Sequence, residues 1–214
     1  MHAPGGRGPA VALAAGLFFV SPAAPASDVR SSADELLRQA RAHEATHEDD
    51  LAVRRYMEAL AIDPTSGEAW LGLGAIRLRL GDAGEAERVY SAALQHTSAL
   101  PLALRGRAYA RWELGRRAEA EADLDTYATL QGDATALREL AKWYGIDGRT
   151  PAQLATWRRL LAMALLADDA PLAREARRMV RALVILVDGA DPAASPIDPG
   201  EARKALAAIA KRGG

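Results

Sequence analysis

The sequence predicts an all-α protein built from repeated pairs of helices. Half of its 214 residues are hydrophobic but only 5% are aromatic, a composition that favours closely packed helices over an aromatic-rich β-sandwich. A pattern with a period of about 34 residues also runs through most of the chain. Within this pattern a glycine recurs, at Gly81, Gly115 and Gly148, and each is suited to a tight turn between two helices.

Composition also excludes several classes of function. The chain has no cysteine, which rules out a disulfide scaffold, thiolate-bound zinc, an iron–sulfur cluster and cysteine catalysis. Its net charge of −1 argues against a general nucleic-acid binder, which is usually strongly basic. No nucleotide-binding glycine motif or serine-hydrolase motif is present. We therefore expect no cofactor and no nucleic-acid partner.

The first 26 residues have the pattern of a signal peptide. Ala10–Val20 is an uncharged, largely apolar run of 11 residues, which is too short to span a bilayer. Ala24, Pro25 and Ala26 then fit the small-x-small cleavage pattern. We predict a mature chain that begins at Ser27, is periplasmic or secreted, and keeps no stable membrane span. With no cysteine after the cleavage site, it has no lipid attachment point.

Four repeat units are predicted, over residues 33–66, 67–100, 101–133 and 134–167. Small residues recur where the two helices of a unit cross, as in Gly74 with Ala86 and Ala108 with Ala120, and they allow close approach. Large residues at three other positions fill the layers between units. Two residues depart from the pattern. They are Arg107, at a normally apolar position, and Gln153, at a normally small one.

The pattern resembles the tetratricopeptide repeat over about residues 33–167. This resemblance implies an α-solenoid, a right-handed superhelix of helix-turn-helix repeats, whose first helices line a concave groove for a protein or peptide. By register, the lining positions include Ala75, and the candidate binding residues are Leu71, Leu78, Arg105, Tyr109, Trp112, Arg138 and Lys142.

Two interpretations of the aromatic candidates stay open. Tyr109 and Trp112 either face a partner or are buried against a neighbouring helix. The cations Arg105, Arg138 and Lys142 suit an acidic peptide or a terminal carboxylate.

Residues 168–214 predict two capping helices, because stacked repeats leave an open apolar end. The first runs over Ala170–Asp188 and the second from Asp198 to about Lys211, with the loop Gly189–Ile197 between them. One face of the first helix carries four arginines, and we interpret this face as solvated rather than as a binding site. The four are Arg174, Arg177, Arg178 and Arg181.

One motif suggests an enzyme. His43, Glu44 and His47 match the H-E-x-x-H pattern of zinc proteases, in which two histidines bind the metal and the glutamate activates water. The surrounding residues are charged, however, and His47 falls at the repeat turn. A third ligand is also not evident. We therefore predict no catalytic activity and keep a small zinc metallohydrolase as an alternative.

The leading functional hypothesis is a non-catalytic, exported scaffold or adaptor that binds a protein or peptide partner, with envelope assembly as one setting. A further alternative is a self-associating structural protein that uses the open repeat ends or the run Leu183–Val187. The sequence leaves the oligomeric state open.

Overall fold

The computed structural model describes residues 26–96 and 100–188, and within these ranges every regular element is an α-helix. The all-α prediction is therefore confirmed for this part of the chain. The predicted signal peptide, apart from Ala26, and the predicted helix Asp198–Lys211 lie outside the described residues. The helices are α1 (Ala26–Ala45), α2 (Asp49–Ile62), α3 (Gly67–Arg79), α4 (Ala83–His96), α5 (Leu100–Glu113), α6 (Arg117–Gln131), α7 (Ala134–Ile146), α8 (Thr150–Leu166) and α9 (Ala170–Asp188).

Consecutive helices form hairpins with short turns. The turns after α3, α5 and α7 contain Gly81, Gly115 and Gly148, with φ angles of +78°, +74° and +67°. Glycine adopts this left-handed region without the steric cost that a Cβ atom brings. The predicted glycine turns are therefore confirmed. In the turn after α1 the same place is taken by His47, which has a φ of +59°.

Small residues let the two helices of each of the first three hairpins approach closely. Ala40 of α1 and Ala52 of α2 are fully buried, as are Ala108 of α5 and Ala120 of α6. Alanine at such a crossing loses almost no side-chain entropy on folding, and its small side chain leaves room for the facing backbone. The small positions predicted from the repeat thus lie at the centre of the hairpins.

Between successive hairpins, tyrosine rings pack directly on glycines. A Cβ atom added at Gly72 would lie 2.3 Å from Cζ of Tyr56, and one added at Gly106 would lie 2.2 Å from Cζ of Tyr90. Both tyrosines are almost fully buried. The two glycines are therefore required by the ring that each one contacts, and not by a turn.

The unusual Arg107 has a buried partner. Its guanidinium donates two hydrogen bonds of 2.8 Å to Asp123 of α6, and Arg111 donates a third of 2.8 Å to the same carboxylate. Arg111 also donates to Glu87 of α4 at 2.9 Å. This group of charges joins three helices, and it explains why an arginine takes a position where Leu73 lies in the preceding hairpin.

Helix α9 packs along α8 by one apolar face. Its buried residues recur every three or four positions and include Leu172, Ala176, Val180 and Leu183, as expected for an amphipathic helix. Met179 is partly buried against the same cluster. None of the helices in the described ranges is both long and apolar enough to cross a membrane.

Candidate functional site

The first helices of the hairpins lie side by side and present one continuous row of residues. Leu71 and Leu78 of α3 pack against a cluster that includes Ala103 and Ala110 of α5. Between the two leucines, Ala75 is exposed. We call this row the groove face. Its members are the fifth, ninth and twelfth residues after Ser66, Leu100 and Asp133, namely Leu71, Ala75, Leu78, Arg105, Tyr109, Trp112, Arg138, Lys142 and Gly145.

The aromatic pair Tyr109 and Trp112 is half-buried against α7. The ring of Trp112 stacks on Trp143 with centroids 4.3 Å apart, and Tyr109 meets Trp143 edge to face at 5.7 Å. On the other side of Trp112, the guanidinium carbon of Arg117 lies 3.6 Å from the ring centroid. Both faces of the Trp112 ring are therefore covered, one by α7 of the next hairpin and the other by α6 of its own hairpin.

Trp143 was not among the residues that the sequence singled out. It is 1% exposed, and its indole nitrogen donates to Glu139 at 3.1 Å. In the second and third units the same repeat position carries Ile76 and Ala110, both buried, and in the first unit it carries the exposed Ala42. A tryptophan where two other units carry Ile76 and Ala110 was the available sequence signal, because the larger indole reaches neighbouring side chains, and Tyr109 and Trp112 of α5 pack against it.

Arg105 is exposed but not free. It donates to the hydroxyl of Tyr127 at 3.3 Å, and that hydroxyl donates in turn to Asp133 at 3.0 Å. The hydrogen bond to Tyr127 raises the pKa of Arg105. Arg105 therefore lies on the groove face with its charge held toward α6.

The cations of α7 differ in how they are held. Arg138 donates to both carboxylate oxygens of Glu175 of α9, at 3.2 and 2.6 Å, and this hydrogen bonding raises the pKa of Arg138. Among the described residues, Lys142 has only a 3.4 Å contact with Glu139, and its side chain is 65% exposed. Of the three cations predicted to meet an acidic ligand, Lys142 is the most available.

The structure does not bring the H-E-x-x-H residues together as a metal site. Helix α1 ends at Ala45, so His47 lies in the turn and not one helical turn after His43. The carboxylate of Glu44 accepts a hydrogen bond from Tyr56 at 3.0 Å, and Nδ1 of His43 lies 2.7 Å from Glu48. Among the described residues, no three acidic or histidine side chains are placed to hold a metal ion. The geometry gives the metallohydrolase alternative no support.

The four arginines of α9 are exposed. They line a shallow depression of about 350 Å³ on the side of the helix away from its buried face. In the run Leu183–Val187, Leu183 and Val184 are buried, while Ile185, Leu186 and Val187 are exposed. The self-association alternative, which rests on this run, stays a prediction.

The family model for the tetratricopeptide repeat matches residues 56–88, which run from α2 through α3 into α4. These residues therefore carry a tetratricopeptide-repeat motif. The predicted resemblance and the predicted α-solenoid are thus confirmed. No curated protein sequence matches the chain.

Solved structures share the tetratricopeptide-repeat fold at low sequence identity. YrrB, described as a TPR protein with an unusual peptide-binding site, is 16% identical, with a TM-score of 0.59 over 86% of this chain and 89% of its own. MamA from Desulfovibrio magneticus RS-1 is 15% identical, with a TM-score of 0.58 over 84% and 94%. PilW, described as a widely conserved type IV pilus biogenesis factor, is 19% identical, with a TM-score of 0.53 over 73% and 80%. At these identities the likeness shows the fold alone.

Proposed function

We propose that this tetratricopeptide-repeat protein is a non-catalytic scaffold that binds an extended peptide segment of a partner protein along its groove face. The observation that carries the proposal is the row of open and half-open positions across α3, α5 and α7. Ala75 and Lys142 are exposed on this row, and Leu71 and Leu78 flank Ala75. Small, apolar and basic groups so arranged suit a peptide with alternating side chains. The described peptide-binding site of YrrB, which shares the fold, is consistent with this use.

We further propose that the protein is exported and acts in envelope assembly. The signal-peptide pattern of residues 1–26 supports export. The similar fold of PilW, a pilus biogenesis factor, supports the setting. A fusion of residues 1–32 to a reporter enzyme that needs disulfides for activity tests export, since disulfides form outside the cytosol. Activity of the reporter, with cleavage before Ser27, is expected. An inactive, uncleaved fusion would contradict export.

The groove is tested by filling it without disturbing the core. Ala75→Arg places a long side chain in the row, and Ala75 is exposed, so the fold should persist. Ala122→Arg, at an exposed position of the second helix α6, is the matched control. Peptides selected from a random library on the wild-type protein should bind Ala122→Arg unchanged and bind Ala75→Arg at least about tenfold more weakly, a difference of about 1.4 kcal/mol.

Fluorescence anisotropy with the selected peptides gives the dissociation constants. If every selected peptide binds Ala75→Arg as well as it binds wild type, the groove face is not the binding site. Circular dichroism of both variants confirms that they are folded alike.

A further inference from the structure

We propose that the arginine face of α9 is the electropositive end of the groove and binds an acidic segment of the bound peptide. This inference rests on the proposed function. It adds that the bound peptide is acidic and that α9 binds its acidic residues. It also revises the interpretation of these arginines as a merely solvated surface.

The first argument is register. Asp169 accepts a hydrogen bond from the backbone N–H of Leu172 at 2.9 Å, as Asp133 accepts one from that of Ala136 at 3.1 Å. Counted from these two caps, α7 and α9 share their first three buried positions; they differ at the eighth and tenth residues, where Ala141 and Trp143 of α7 are buried but Arg177 of α9 is exposed and Met179 is half-buried. The third, fourth and seventh residues are Ala136, Leu137 and Leu140 in α7 and Leu172, Ala173 and Ala176 in α9, and all six are buried.

The same count puts three arginines on the groove row. Arg174, Arg178 and Arg181 are the fifth, ninth and twelfth residues after Asp169, the positions that Arg138, Lys142 and Gly145 hold after Asp133. Helix α9 therefore presents to the groove the face that the first helix of a fifth hairpin would present. Arg177 lies beside this row and lines the same depression.

The second argument is continuity with α7. Arg138 is bonded to Glu175, the acid next to Arg174 on α9. This ion pair crosses from α7 to α9 at the groove row. It also neutralises Glu175, the acidic residue closest to the arginines along α9. Lys142 follows one helical turn after Arg138, so its charge adds to those of α9.

The third argument is the contrast in charge pairing along the array. At its first end, Arg41 pairs with Glu68 at 3.1 Å, and Arg79 pairs with Asp49 and Glu44. On α9, by contrast, none of the four arginines forms an ion pair with any side chain that the structure describes. Their spacing of i, i+3, i+4 and i+7 places like charges together on one face, where they repel each other. An anionic ligand would relieve this repulsion.

Besides Glu175, two further acids lie at the start of α9. Asp168 and Asp169 line an adjoining depression of about 360 Å³ together with Arg174 and Arg177. Arg178 and Arg181 lie further along α9, away from these acids, and are the arginines that we expect to contribute most. A guanidinium binds a carboxylate through two parallel hydrogen bonds, so glutamate and aspartate side chains are the matching groups.

An acidic peptide fits this surface better than an anionic membrane does. An amphipathic helix that lies on a bilayer inserts its apolar face, but the apolar face of α9 is buried against α8 through Leu172, Val180 and Leu183. The arginines therefore stand on a packed solenoid, next to a groove that already suits a peptide.

The test uses the full chain and a dye-labelled peptide of five Glu-Gly repeats, with five Gln-Gly repeats as the neutral probe. Arg178→Gln/Arg181→Gln is the test variant. Arg54→Gln/Arg158→Gln is its control, because these exposed arginines of α2 and α8 also form no ion pair with a described residue. The control should bind the acidic peptide like wild type, and the test variant should bind it at least about tenfold more weakly. Binding by wild type should also weaken with salt.

Three results would overturn the inference: equal binding by both double variants, equal binding of the Gln-Gly peptide, or tighter binding to vesicles with 30% phosphatidylserine or to single-stranded DNA than to the acidic peptide. None of these results contradicts the proposed function if Ala75→Arg still weakens binding of the library-selected peptides. A different result is that Ala75→Arg binds the library-selected peptides as wild type does, while Arg178→Gln/Arg181→Gln still weakens binding of the acidic peptide. In that case the groove face is not the peptide-binding site, and α9 carries only an anion-binding site.

Discussion

At the scale of single residues, the contact of a tyrosine ring with a glycine joins successive hairpins. Tyr56 lies on Gly72 and Tyr90 on Gly106, and each pair is separated by 16 residues in the sequence. In the next hairpin the tyrosine position holds Leu124 and the glycine position holds Glu139. A smaller side chain on one helix thus accompanies a larger one on the next, which keeps the layer filled.

This complementarity predicts the effect of a single methyl group. Gly106→Ala should lower the free energy of unfolding by about 2 kcal/mol, because the added Cβ overlaps the buried Tyr90 ring. In a Tyr90→Leu background, which imitates Leu124, the same substitution should cost much less. Denaturant unfolding followed by circular dichroism measures both.

Gly84→Ala is the matched control, since a Cβ there would meet no atom within 4 Å. It should be neutral or stabilising by up to about 1 kcal/mol, because alanine favours a helix over glycine. An equal loss from Gly106→Ala with and without Tyr90 would contradict the proposed contact.

At the scale of helices, buried charges and aromatic rings fix how neighbours pack. Arg107 and Arg111 of α5 share Asp123 of α6, and Arg111 extends the link to Glu87 of α4. Arg107 thus pairs only with this one carboxylate among the described residues, and the Asp123 side chain is 8% exposed, whereas Arg111 also pairs with Glu87. Removal of the shared acid should therefore lower the free energy of unfolding by more than removal of one of its donors does.

We expect Asp123→Asn to lower the free energy of unfolding by about 3 kcal/mol, since it leaves Arg107 without a carboxylate and close to the guanidinium of Arg111, which keeps Glu87. Arg107→Leu should cost less than about 1 kcal/mol, because Arg111 still pairs with Asp123 and leucine is the residue at the equivalent Leu73 and Leu140. The double variant Arg107→Leu/Asp123→Asn should recover part of the loss. Urea unfolding of the three variants measures these values, and a larger loss from Arg107→Leu than from Asp123→Asn would refute the shared role of the acid.

At the scale of the whole molecule, the sequence predicted the fold well but predicted the exposure of the candidate residues poorly. A repeat carries its own register, so the turn glycines and the small residues at the crossings followed from the period alone. The surroundings of Tyr109 and Trp112 did not follow, because they depend on Trp143, at a position that carries Ile76 and Ala110 elsewhere.

The partner of Arg138 was hidden for a related reason. Glu175 lies 37 residues away on α9, beyond the last predicted repeat, so the repeat pattern gave no reason to pair the two. The register of α9 became clear only when its buried residues could be aligned with those of α7. A periodic pattern therefore specifies where helices lie, while contacts that break the period depend on residues outside it.

The tyrosine–glycine contacts have a consequence for how such an array can grow or shrink in evolution. Loss of residues 67–100 would bring Tyr56 against Gly106, a junction of the kind already present. Loss of residues 101–133 would instead bring Tyr90 against Glu139, where the ring has no glycine to receive it. A hairpin can therefore be lost only where the new junction still places a tyrosine against a glycine. Lineages that duplicate or delete hairpins should preserve this pairing at every junction that has a tyrosine.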